Sequence, residues 1–321
     1  MLDRYGRSIR YLRISLTDRC NLRCRYCLPH GVNLVPMEDL LTMEEIAAVV
    51  RCGTMLGIDR VRLTGGEPLV RRGVLQLMEM LHEIKDLQQI AMTTNGLLLR
   101  QYLPELTARG LQAVNISLDT MDPGIYQQIT GCDGVEEVLA AIDASLEAGL
   151  KVKVNAVLME DINPQAWQEL IALAKDRPLD VRFIELMPIG EGKHFTGVSN
   201  DKLLSQLQES YPDMKPDERV HGSGPAVYWQ IPGFEGSIGL ISAMHHKFCS
   251  GCNRVRLTAA GELKPCLCFE DSIDLKTLLR TQGEENVLEA MRQIIFQKPK
   301  EHCFEATGQI TEHRRMASIG G

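Results

Sequence analysis

Strand-like runs and amphipathic helix-like stretches alternate about six times over the first 190 residues of the chain, and few folds accommodate that order. The strand-like runs cover residues 9–16, 61–64, 89–94, 113–119, 151–158 and 181–187. A capping box, Thr42-Met-Glu-Glu45, opens the first helix; Ile46, Val49, Val50 and Gly53 form its buried face and Gly57 ends it. Further helices are expected around residues 74–81, before the fourth strand, over 135–148 and over 164–175. Strands separated by helices build a parallel sheet with crossover connections. Six units are too few for a closed eight-stranded barrel, so the expected fold is an open, incomplete parallel β/α barrel with a gap along one side.

Nearly every run ends in polar residues or glycine: Thr17-Asp18, Thr64-Gly65-Gly66, Thr93-Thr94-Asn95, Ser117 with Asp119, Asn155 and Glu185. One polar strand end is commonly a turn; six in series outline a pocket, because α/β folds place their sites at carboxyl strand ends. Beyond about residue 190 the alternation gives way to a loop, a helix near 201–209 and short apolar runs broken by Pro and Gly. The expected division is therefore 1–195 for the partial barrel and 196–321 for a smaller α+β region.

The first strand runs into Cys20-Asn-Leu-Arg-Cys24-Arg-Tyr-Cys27. Three thiolates can hold a metal centre but leave it one ligand short, since a structural zinc takes four and a four-iron cluster is usually held by four cysteines. On a cubane, one iron would stay open to another ligand. A zinc site completed by a distant residue and a disulfide are the alternatives. The first residues lack the apolar core of a signal peptide and no apolar run spans a bilayer, so a cytoplasmic setting is expected. There, ten cysteines point to metal or redox chemistry rather than stapling. The net charge of −7 argues against bulk nucleic-acid binding while leaving room for a local basic pocket.

Gly65-Gly66-Glu67-Pro68 lets backbone approach a ligand closely and offers a carboxylate to an ammonium group. Cys249-Ser-Gly-Cys252, followed by Cys266-Leu-Cys268, has the look of a metal site on a hairpin. Local spacing leaves zinc and iron–sulfur even, with Cys268, His245 or His246 as a fourth zinc ligand. Cys52, Cys132 and Cys303 stand isolated and read as buried or free thiols. Arg254 and Arg256 share one strand face and, with Arg13, Arg62 and Lys153, would suit a triphosphate. The terminal Gly320-Gly321 is either a frayed end or a tail slim enough to thread into a pocket.

In their order these motifs resemble the GTP 3′,8-cyclase family, radical S-adenosylmethionine (SAM) enzymes that open molybdenum cofactor biosynthesis. The similarity runs through Leu-Arg13-Ile-Ser-Leu-Thr-Asp, the three-cysteine loop, Val-Arg62-Leu-Thr-Gly-Gly-Glu-Pro, Thr-Thr-Asn-Gly, Asn-Ile-Ser117-Leu-Asp, Arg-Phe-Ile-Glu-Leu-Met187, Cys-x-x-Cys-Asn-Arg-Val-Arg and the Gly-Gly end. The resemblance implies that Cys20, Cys24 and Cys27 hold the SAM-binding 4Fe-4S cluster, and Cys249, Cys252 and Cys266 a second one. It places SAM at Tyr26, Gly66, Glu67, Ser117 and Met187. It places GTP at Arg13, Arg62, Thr93 and Lys153, and at Arg254, Val255 and Arg256, with Gly320 and Gly321 reaching the active site. It implies SAM cleavage to a 5′-deoxyadenosyl radical, hydrogen abstraction from C3′ of GTP and closure onto guanine C8. It also implies an electron donor, a cyclic pyranopterin monophosphate synthase as next enzyme, and a monomer or homodimer. A peptide-modifying radical SAM enzyme and a non-catalytic zinc module are the competing readings.

Overall fold

The computed structural model describes residues 1–30 and 34–320. Strands β1 (Tyr11–Ser15), β2 (Arg60–Thr64), β3 (Gln89–Thr94), β4 (Leu111–Ser117), β5 (Lys151–Ala156) and β6 (Asp180–Ile184) lie side by side in chain order, all parallel. The six expected units are there, and the later chain extends both edges. Of β7 (Lys215–Pro216), β8 (Val227–Gln230) and β9 (Ser237–Ile241), the last pairs parallel with β6, and β8 and β7 follow antiparallel. β10 (Arg254–Leu257) pairs parallel with β1, and β11 (Glu262–Lys264) and β12 (Ile273–Asp274) continue antiparallel. β12 and β7 end the order of this open sheet, and the expected division at residue 195 is no break in it.

The crossover helices are α1 (Met43–Met55), α2 (Val74–His82), α3 (Leu99–Ala108), α4 (Pro123–Thr130), α5 (Val135–Glu147) and α6 (Trp167–Ala172). The Thr42–Glu45 capping box closes with both of its bonds, and Gly57 follows α1 at φ +86°. α4 was not anticipated, although Asp122 at its N-cap and Pro123 at its first position are a start signal. α6 is shorter than 164–175: the Asn163 amide is spent on the carbonyls of Asp119 and Val157, and tight i→i−3 bonds from Leu173 to Lys175 end the helix. Beyond them lie α7 (Asn200–Ser210), α8 (Leu275–Gln282), α9 (Glu284–Phe296) and the short α10 (Met316–Ile319). Among the described residues no helix is long and apolar enough to cross a membrane.

Strand alternation sorts the side chains. Leu12 and Ile14, Val61 and Leu63, Val152 and Val154, and Val181 and Phe183 are buried in the main apolar core. The intervening residues, such as Arg13, Arg62, Lys153 and Arg182, line a cavity on the other face. Parallel strands buried on both faces are usually apolar throughout; here the inner face is polar because it surrounds a cavity.

Candidate active site

The cavity holds about 510 Å³. Arg256, Arg13 and Arg62 stand in register on the adjacent strands β10, β1 and β2. Neighbouring strands are about 4.8 Å apart, so three guanidiniums form a row across the wall. Burial, and then the charge of Arg256, holds Arg13 well below the usual arginine range; burial and Arg254 bring Arg256 down to about 10. Like charges crowded this way favour a bound anion. Arg62 bonds the Tyr11 hydroxyl and donates to the Met92 carbonyl at 3.0 Å. Arg254 and Thr93 also line the cavity, and Nε of the first and Oγ1 of the second are buried with no hydrogen-bond partner among the described residues. Lys153 is placed there too, engaged by Asp180 at 2.7 Å and the Tyr228 hydroxyl at 2.8 Å. The Val255 side chain points into the core, which leaves only its backbone for a ligand.

Arg182 escaped sequence reasoning. It lines the cavity beside Lys153 and donates to Asn155 Oδ1 through Nε at 2.9 Å and Nη2 at 2.6 Å. Its position between the apolar Val181 and Phe183 was the available signal.

The first thiol loop is braced from beneath. Gly66 N donates to the Thr17 carbonyl at 2.7 Å and Glu67 N to the Arg19 carbonyl at 2.8 Å. A Cβ on Gly66 would sit 2.3 Å from that Arg19 oxygen, so only glycine fits. Glu67 is fully buried, and its oxygens accept from Thr94 Oγ1 at 2.8 Å, Asn95 N at 2.7 Å and Leu69 N at 3.1 Å. Its carboxylate therefore ties two loops together. Burial pushes all three thiols of the loop up, and the neighbouring cysteines add to this at Cys24 and Cys27, the latter reaching about 12. Tyr26, Ser117 and Met187 line the cavity, and Tyr26 donates to Asp119 at 2.8 Å.

Cys249, Cys252 and Cys266 line the same cavity. Cys268 does not: it is fully buried in an apolar cluster with Leu267, Phe304 and Ile319, its Sγ 3.3 Å from that of Cys303. Cys303 is a free thiol, as expected, though it is packed against Cys268. His245 is taken by Glu185 at 2.8 Å and His246 by Asp201 at 2.9 Å. Lys298, also missed in the sequence, is buried on the cavity wall with its ammonium on the Pro265 carbonyl. Burial works to raise the Cys252 thiol, but Lys298 and Arg254 hold it below its ordinary value. Among the described residues no carboxylate pairs with Lys298, which acts instead on the Cys249 and Cys252 thiols.

Among the described residues no group of three or more His, Cys, Asp or Glu side chains is drawn close enough to grip a single metal ion, and this holds for both cysteine trios. Three cysteines on the one loop, Cys20, Cys24 and Cys27, suit a 4Fe-4S cluster that keeps one iron open, and all three are free thiols.

The tail is packed rather than frayed. Ile319 is fully buried, Ala317 N bonds Cys27, and Arg256 Nη1 donates to the Gly320 carbonyl. Gly320 has φ +77°, and a Cβ there would stand 3.0 Å from Thr64 Oγ1. Gly321 lies outside the described residues.

The family model of the radical SAM superfamily matches residues 14–174, and that described as molybdenum cofactor synthesis C matches residues 179–304. The chain is a radical SAM enzyme, and this implies a 4Fe-4S cluster and SAM as cofactors. Streptococcus suis SuiB bound to S-adenosylmethionine shares the fold, with a TM-score of 0.66 at 13% identity over 97% of this chain and 77% of that one. Proteins named GTP 3′,8-cyclase are far more similar. That of Clostridium perfringens (strain 13 / Type A) is 43% identical and that of Petrotoga mobilis 42%, each over the whole of both chains. The chain belongs to the GTP 3′,8-cyclase family.

Proposed function

We propose that this cavity binds GTP between the cation row and the Cys249–Cys252–Cys266 trio, and that the chain converts it to 3′,8-cyclo-7,8-dihydro-GTP. The crowding of Arg256, Arg13 and Arg62 on adjacent strands carries the reading. A triphosphate relieves that repulsion and accepts forked hydrogen bonds from each guanidinium. Arg254, Lys153, Arg182 and Thr93 complete the grip.

The cluster at Cys20, Cys24 and Cys27, when bound with SAM, supplies the 5′-deoxyadenosyl radical that takes the C3′ hydrogen. Tyr26, Ser117 and Met187, with the backbone at Gly66, orient SAM against the ribose. A second 4Fe-4S cluster at Cys249, Cys252 and Cys266 would hold the base opposite, with Lys298 balancing its charge. Gripping both ends of the nucleotide brings C3′ to C8 and makes the closure effectively unimolecular. The Gly320 carbonyl fixes the Arg256 guanidinium in the row. The reaction draws on an external electron donor. A reducing cytoplasmic setting, either a monomer or a homodimer, and a cyclic pyranopterin monophosphate synthase as next enzyme complete this reading.

Anaerobically reconstituted protein is mixed with SAM and reductant, with and without GTP, and 5′-deoxyadenosine and the nucleotide products are separated. GTP-dependent formation with a cyclised product is expected. Cleavage indifferent to GTP would remove the substrate assignment and favour a peptide.

A further inference from the structure

Met316 of the C-terminal segment lines the cavity, and a buried ion pair ties that segment to β11. Lys264, on β11, is fully buried, and its Nζ meets Glu312 Oε2 at 2.5 Å and the Phe269 carbonyl at 2.7 Å. The Glu312 side chain is 1% exposed. Its oxygens also accept from Arg314, through backbone N at 2.8 Å, Nε at 3.0 Å and Nη2 at 3.0 Å. Arg314 reaches on to Glu262 at the start of β11. Backbone bonds run alongside, from Glu312 N to the Cys268 carbonyl at 3.3 Å and from Glu270 N to Thr311 Oγ1 at 3.0 Å.

We infer that the Lys264–Glu312 ion pair is the anchor of the C-terminal segment, a positioning device that seats Gly320 against Arg256. Apolar residues of equal volume hold a segment at least as tightly as a buried ion pair, but they tolerate sliding; a charge pair braced by further directional hydrogen bonds accepts one register. Register matters here. Only seven residues separate Glu312 from Gly320, and along them Ala317 N must meet Cys27 while Ile319 fills its apolar pocket. A slip of one residue would withdraw the Gly320 carbonyl from Arg256. The β10–β11 hairpin carries both ends of this arrangement: Arg256 and Lys264 are directly paired across it. One hairpin therefore sets where the tail is held and where it arrives. The inference rests on the reading that the tail serves the nucleotide site.

The test is hydrogen–deuterium exchange on the full reconstituted chain, comparing wild type with Glu312→Gln. Amides 315–320 are expected to exchange as an open segment while those of β1–β6 stay protected. A tail seated a tenth of the time cuts GTP turnover about tenfold. Should Glu312→Gln fail to fold, Arg314→Ala, at a partly exposed position, is expected to loosen the same amides. Tail amides as protected as in wild type would overturn the anchor. A released tail with full turnover would keep the anchor and refute the tail's part in the proposed function.

Discussion

Gly66→Ala tests whether the thiol loop is built by close backbone packing. Restoring ordinary contact for the new Cβ requires the Arg19 carbonyl to retreat by about 1 Å from its 2.3 Å approach. The 2.8 Å bond from Glu67 N to that carbonyl would then pass out of hydrogen-bond range, leaving a buried donor unpaired. An unsatisfied buried group costs about 1–3 kcal/mol and overpacking another ~1–3 kcal/mol. Together they amount to about 2–6 kcal/mol, or roughly a thirtyfold to twenty-thousandfold loss of the competent loop. The strain falls next to Cys20, so iron at the first trio and SAM affinity suffer before global stability does. Iron content after anaerobic reconstitution and equilibrium SAM binding measure the effect, with Gly308→Ala, whose Cβ meets nothing within 4 Å, as control. Wild-type iron and SAM affinity in Gly66→Ala would refute the reasoning.

Arg254→Ala is expected to weaken GTP binding about tenfold or more while iron and SAM binding stay intact, because a charged hydrogen bond is lost; unchanged GTP titrations remove Arg254 from the site. Cys266→Ser should lower iron content while Cys268→Ala leaves it unchanged, and the reverse pattern would exchange their roles. Burial raises Glu67 from 4.5 to about 7. The folded state therefore keeps a proton that the unfolded chain releases; this contribution is complete below pH 4.5 and is lost as pH rises through 7, about 3 kcal/mol in all. Glu67→Gln, which does not titrate, should remove that decline from urea unfolding measured between pH 4.5 and 7, and an identical slope in both proteins would sink the assignment.

Much of the cavity wall was legible because a strand's period of two is a local property. Val152 and Val154 in the core, with Lys153 and Asn155 on the cavity, follow directly from the alternation in β5. Arg182 obeys the same rule in β6 and could have been found. Lys298 and the Cys268–Cys303 contact carry no such pattern, because each depends on what distant chain places beside it.

The amino-acid order by itself determined the parallel strand–helix succession, the three-cysteine loop and the glycines beneath it, since propensity, periodicity and close backbone approach act between near neighbours. Tertiary structure decided the rest. β9 and β10 close onto β6 and β1, from opposite ends of the first sheet, and a free strand edge accepts partners on pairing geometry that no local pattern announces. That pairing sets Arg256 beside Arg13 and turns Cys266 to the cavity while Cys268 is shut in apolar packing. Chemistry that local sequence left divided between zinc and iron–sulfur, and between two neighbouring cysteines, depends on which side chains the folded sheet gathers around one space.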